Sequence, residues 1–180
     1  MSIRMTPIDP AAAHGQAKDL LSAVQAKLGV TPNMMRTMAH SPAVLEGYLA
    51  LSSALAKGAL PADIREQLAL AIGQMNGCEY CVSAHTLLGK GAGLAPEQII
   101  SARHGNARDP KAKAALTLAR NIVERHGDIT DQQLAAARAA GLGDAEIAEV
   151  VAHVAMNVLT NYFNELVHTE IDFPRVAMAL

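Results

Sequence analysis

The chain has 180 residues, enough for one domain or two small repeats around a shared core, and 51% of them are apolar while only 3% are aromatic. A formal net charge of −2 with no Lys/Arg block removes the electrostatic case for nucleic acid or an anionic membrane. The scarcity of aromatics removes a stacking platform for single strands.

The start, Met1 to Pro7, has no apolar leader core, and apolar stretches such as those at 68–72 and 150–155 are too short to span a bilayer. The expected address is therefore the cytoplasm. Ala- and Leu-rich composition without sustained alternation predicts an all-α domain over 1–180. A first helix is expected from Ala11 to Leu28, closed by Gly29, and a short irregular one from Thr31 to His40. Ser41-Pro42 reads as a cap followed by proline at the first helical position, opening a helix to Lys57. Pro61 opens the next, to Asn76. Asn76-Gly77 breaks the chain, and another helix begins near Cys78 and ends near Gly91. Pro96 starts a helix to His104, and Asp109-Pro110 starts one to His126. Thr130 with Gln133 three residues on reads as a capping box for a helix ending at Gly141. Asp144 begins the last helix, expected to reach Glu170, with an extended tail containing Pro174.

A weak internal repeat relates the core motif at 61–91 to a degenerate copy at 144–172. Sliding the chain by 83 residues sets the run Asp63 to Glu66 on Glu146 to Glu149 and His85 on His168. It also sets Cys78 and Cys81 on Asn161 and Asn164. Chance similarity between two Ala-rich helices is the competing explanation.

The two cysteines occur together, as Cys78-Glu79-Tyr80-Cys81, with His85 four residues on. At about 100° per residue, Cys81 lies about 60° from Cys78 around a helix and His85 about 20°, so the three share one face. The i,i+4 step brings the His85 imidazole to the Cys81 sulfur, an arrangement suited to a base that takes the thiol proton. Both cysteines fall in the first turn, where the helix N-terminus favours an anion, and their spacing allows a disulfide across one turn. Two other readings stand beside a redox pair. One is half of a zinc site, with His85 as third ligand and His168 or Glu66 as fourth. The other is a pair of inert core cysteines. Glu66, twelve residues before Cys78, can approach the pair if the turn at Gly77 folds its helix back. His14, His40, His104, His126 and His153 show no such spacing and are expected at the surface or at helix ends. Met34, Met35 and Met38 recur at helical spacing, as core residues do.

Glu66, Cys78-Glu79-Tyr80-Cys81 and His85, with the intervening stretch from Leu68, resemble the motif of the alkylhydroperoxidase D core within the carboxymuconolactone decarboxylase superfamily. Thr31-Pro32-Asn33 and the run Asn161 to Asn164 are similar to its peroxidase-related branch. The resemblance implies an all-α protomer in a homotrimer or homohexamer, with no cofactor and no metal. It implies a thiol peroxidase acting on organic hydroperoxides or hydrogen peroxide. Cys81 would attack the peroxide, Cys78 would resolve the sulfenic acid, and His85 with Glu66 would relay protons. An external dithiol would then reduce the disulfide. Tyr80 stands where alkylhydroperoxidase D has a histidine, and its hydroxyl, of ordinary pKa about 10, is no base near neutral pH. Two alternatives remain, a general dithiol–disulfide oxidoreductase and a zinc-binding helical protein without turnover.

Overall fold

The computed structural model describes residues 2–179, and these form nine helices and no strand. They are α1 (Gly15–Leu28), α2 (Asn33–Met38), α3 (Pro42–Leu55), α4 (Ala62–Met75) and α5 (Glu79–Gly91), followed by α6 (Pro96–Arg103), α7 (Pro110–Arg125), α8 (Asp131–Ala139) and α9 (Asp144–Val167). The expected all-α class holds. Among the described residues no helix is long and apolar enough to cross a membrane.

Local chemistry sets most boundaries. Asp109 Oδ1 accepts from the Ala112 N–H at 2.8 Å, and Pro110 sits in the first turn of α7. Thr130 and Gln133 close the expected capping box reciprocally, at 3.2 and 2.9 Å. Ser41 occupies the cap position of α3, although its side chain makes no cap bond. The first helix begins at Gly15 rather than Ala11, because the Asp9 carboxylate accepts from the Ala11 N–H at 3.0 Å and holds that stretch as a turn. The last helix ends at Val167 rather than Glu170, because His168 caps it in the left-handed conformation at φ 53°.

Helix α4 is the hub. It packs against α5, α6, α7 and α9, and residues 67–73 along it are all buried. A helix apolar around most of its circumference belongs inside a bundle. One core joins α4, α7, α8 and α9 around Leu68, Ile72, Leu116 and Val150. A second joins α1, α2, α3 and the start of α5, and there Cys78, Tyr80 and Cys81 pack with Leu21, Met38 and Leu45. Met34 and Met38 are buried in this core as expected. The segment 144–167, the larger part of the possible second repeat, is one unbroken helix with no counterpart of the break at Gly77.

Among the described residues, those after α9 form no regular element. They are pinned across the back of α4 and α5. Asn33 N–H donates to Asp172 Oδ2 at 2.8 Å, and Val176 N–H donates to Ser83 Oγ at 3.0 Å. The buried Arg103 guanidinium donates to the carbonyls of Ala177 and Met178, at 2.7 and 3.2 Å.

Candidate active site

Gly77, at φ 72°, supplies a left-handed residue that turns the chain from α4 into α5. Cys78 is then the N-cap of α5, and its sulfur accepts from the Cys81 N–H at 3.2 Å. Cys78 and Cys81 are joined by a disulfide, with Cα atoms 5.3 Å apart. Both are buried, at 0% and 3% exposure, so the cysteine pair lies beneath the surface.

The α4–α5 hairpin does bring Glu66 to the motif, but against His85 and not against a sulfur. His85 Nδ1–H donates to Glu66 Oε2 at 2.8 Å. An ionised carboxylate only accepts, so this bond puts the imidazole proton on Nδ1 and leaves the Nε2 lone pair as the basic position. Both side chains are about one-quarter exposed or less, at 25% and 21%. They line a cavity of about 190 Å³ between α3, α4, α5 and α9, together with Tyr48, Arg65, His153 and Asn157. Burial, and then the Glu66 charge, push the Tyr48 hydroxyl up from its ordinary value, so it stays protonated.

His153 corrects the expectation of a surface or helix-end histidine. It lies in the middle of α9 at 3% exposure, and its Nε2 is buried without a hydrogen-bond partner. Burial above all, and then the Arg65 charge, hold its pKa below the usual histidine value. The residue is therefore neutral at pH 7. Its phase on α9 carried a signal, since Val150, His153, Val154 and Asn157 recur at three- and four-residue steps on the inner face. His14, His40, His104 and His126 are exposed, as expected.

Helix α9 also reaches the sulfurs. Asn164 Nδ2 donates to Cys81 Sγ at 3.3 Å, and Asn161 Oδ1 accepts from Asn76 Nδ2 at 2.9 Å. These are the two residues that the 83-residue offset sets on the cysteines. Tyr80 is buried at 5% exposure, accepts from the Met34 N–H at 3.2 Å, and meets Phe173 edge-on with ring centroids 5.5 Å apart. Burial pushes its hydroxyl pKa well above the ordinary value, so Tyr80 is a packing residue and no base.

The zinc reading finds no support in this geometry. Among the described residues no group of three or more His, Cys, Asp or Glu is placed to hold a metal ion. His168, its suggested fourth ligand, caps α9 with Nδ1 3.0 Å from the Ser2 carbonyl oxygen.

Residues 42–121, a little under half of the chain, match the model of the carboxymuconolactone decarboxylase family. No curated protein matches the chain in sequence. Among solved structures, the chain is similar to a peroxidase-related protein with an alkylhydroperoxidase AhpD core from Ralstonia eutropha JMP134. That comparison has a TM-score of 0.85 at 23% identity over 94% of this chain and 92% of the other. A peroxidase-related protein from Silicibacter sp. TM1040 has a TM-score of 0.78 at 20% identity, over 92% and 91% of the two chains. The debrominase Bmp8, as a cysteine-to-alanine variant in complex with 2,3,4-tribromopyrrole, has a TM-score of 0.77 at 18% identity, over 96% and 93%. At these identities the structural likenesses establish the fold. The chain thus has the all-α fold of the alkylhydroperoxidase AhpD core, and its residues 42–121 are similar to the model of the carboxymuconolactone decarboxylase family.

Proposed function

We propose that this protein is a thiol peroxidase that reduces organic hydroperoxides or hydrogen peroxide through Cys78 and Cys81. The observation that carries the reading is the arrangement of a cysteine pair at the start of α5 with an oriented base one turn on. His85 stands four residues from Cys81, and Glu66 holds its Nδ1 at 2.8 Å. Such a nucleophile, base and orienting group form the usual constellation of an activated thiol.

In the proposed cycle His85 Nε2 takes the proton from Cys81. The thiolate attacks the distal peroxide oxygen, the S–O bond forms and the O–O bond breaks. The leaving alkoxide takes a proton and departs as alcohol, or as water from hydrogen peroxide. Cys81 is now a sulfenic acid, oxidised by two electrons. The Cys78 sulfur attacks that of Cys81, hydroxide leaves and is protonated to water, and the disulfide forms. A dithiol then returns two electrons and two protons. Burial of both sulfurs weighs against a general exchanger, which must present a sulfur to bulky disulfides.

The reading includes a homo-oligomer, trimeric or hexameric, in the cytoplasm. Val151, Leu159, Tyr162 and Leu166 are 45–65% exposed along the outer face of α9, an apolar stripe suited to burial against another subunit. Light scattering should give a multiple of 18.9 kDa. A monomer at micromolar concentration would reject this part of the reading.

The activity is tested by single turnover. Fully reduced protein is mixed with one equivalent of hydrogen peroxide, cumene hydroperoxide or a brominated pyrrole, and followed by intact mass. Loss of two mass units with the peroxides, and none with the bromopyrrole, is expected. Oxidation by the bromopyrrole alone would replace the peroxidase reading with reductive dehalogenation.

A further inference from the structure

We propose that Asn164 is a catalytic residue of the thiol site, its side-chain amide holding the Cys81 sulfur in the ionised form that attacks. The inference rests on the thiol peroxidase reading, to which it adds a group from α9.

The start of α5 does not by itself favour Cys81. Its amide hydrogen-bond donor at this point, the Cys81 N–H, points at the sulfur of Cys78 at 3.2 Å. Dipole and cap together therefore favour an anion on Cys78. The Cys81 sulfur receives its donor from elsewhere. Asn164 Nδ2 lies 3.3 Å from Cys81 Sγ and also 3.3 Å from Met34 Sδ.

Asn164 is 2% exposed, and its Oδ1 is buried with no partner. Burying an amide with one end unmatched is unfavourable, and a buried polar group left in that state calls for a reason, of which a catalytic role is one. A leucine would fill a similar volume without that penalty. The amide does what a leucine cannot, since its N–H groups donate to sulfur. A hydrogen bond donated to the charged form favours that form. The site is then assembled from two sides, with His85 on α5 removing the proton and Asn164 on α9 stabilising the anion left behind.

The test uses the full chain with Cys78→Ser, so that Cys81 is the only thiol. The rate of alkylation by iodoacetamide is measured against pH, with and without Asn164→Leu or Asn164→Asp. Loss of a hydrogen bond to an ionised sulfur should move the midpoint up by about one pH unit in the Leu variant. The Asp variant should move it further, because a carboxylate brings like charge to the sulfur. Peroxide oxidation near neutral pH should slow about tenfold in Asn164→Leu and recover above the new midpoint. In the converse background, Cys81→Ser, the Asn164→Leu substitution should leave the Cys78 midpoint in place. Asn164→Leu suits a buried position and carries the test if the Asp variant fails to fold. An unmoved Cys81 midpoint in a folded Asn164→Leu protein overturns the inference, even where peroxide is still consumed. If wild type consumes no peroxide but the midpoint moves, the peroxidase reading fails and the hold of Asn164 on the Cys81 sulfur stands.

Discussion

Glu66 and His85 meet at 2.8 Å across the α4–α5 hairpin, and the contact fixes which imidazole nitrogen is free to act as a base. In Glu66→Gln the acceptor loses its charge and can present an N–H to the ring, so the tautomer is no longer enforced. The fold should be unaffected, since volume is conserved and neither side chain is fully buried. Oxidation of the reduced protein by peroxide, followed by stopped flow, should slow by about tenfold or more. A rate within about twofold of wild type would remove Glu66 from the site.

The two cysteines should behave differently when separated. In Cys78→Ser the sulfenic acid on Cys81 has no resolving thiol. It should persist, react with dimedone, and pass to the sulfinic acid with further peroxide. In Cys81→Ser little sulfenic acid should form, because Cys78 is the residue further from His85 along α5. Peptide mapping after one equivalent of peroxide decides the matter. Faster adduct formation on Cys78 would reverse the two roles and give the helix start the larger part.

His153 should make the protein acid-sensitive. Its folded-state pKa is depressed, chiefly by burial and next by the Arg65 charge. Above about pH 6.5, the ordinary imidazole value, folded and unfolded chains are both neutral there and this stability is fully present. As pH falls below that value the unfolded chain gains a proton that the folded chain resists, and stability is lost. Urea midpoints at about pH 7.5 and about pH 5.5 should differ more for wild type than for His153→Gln. Equal differences would show that His153 does not titrate in this window.

Arg103 should govern the chain end. Its guanidinium reaches Gln74 Oε1 at 2.8 Å as well as the carbonyls of Ala177 and Met178. Arg103→Met keeps most of the apolar stem and removes the donors, so the strap over α5 should loosen while the bundle stays folded. Hydrogen exchange of the Val176 amide, now bonded to Ser83 Oγ, should quicken about tenfold or more. Unchanged exchange would mean that Ser83 and Asp172 hold the strap without it.

What could be read in advance follows from range. Asp109-Pro110, Thr130 with Gln133, and Gly77 act on their own neighbours, so the helix starts and the α4–α5 break were visible in sequence. The Asp9 turn competes with a helix start through one side-chain bond, which composition does not show. Cys78, Cys81 and His85 could be grouped because one helix carries them all. The partnership of Glu66 with His85 required only that a hairpin close. His153 and Asn164 depend on how α9 is rotated against α3, α4 and α5, a packing outcome that no local rule fixes. Their trace in the sequence is polar residues falling on the buried phase of an otherwise apolar helix.

That buried face of α9 has a practical consequence for protein engineering. His153, Asn157, Thr160, Asn161 and Asn164 all lie on it, and three of them leave a polar atom without a partner. A redesign guided by thermostability alone would replace them with leucine, isoleucine or valine, and such exchanges commonly raise the melting temperature. The same exchanges would remove the amide beside Cys81 and the imidazole beside the Glu66–His85 cavity. Scanning this face with apolar residues therefore sorts its members by sign. A position that gains melting temperature and keeps peroxide turnover is free material for a designer, and one that gains stability at the expense of turnover has been retained for chemistry.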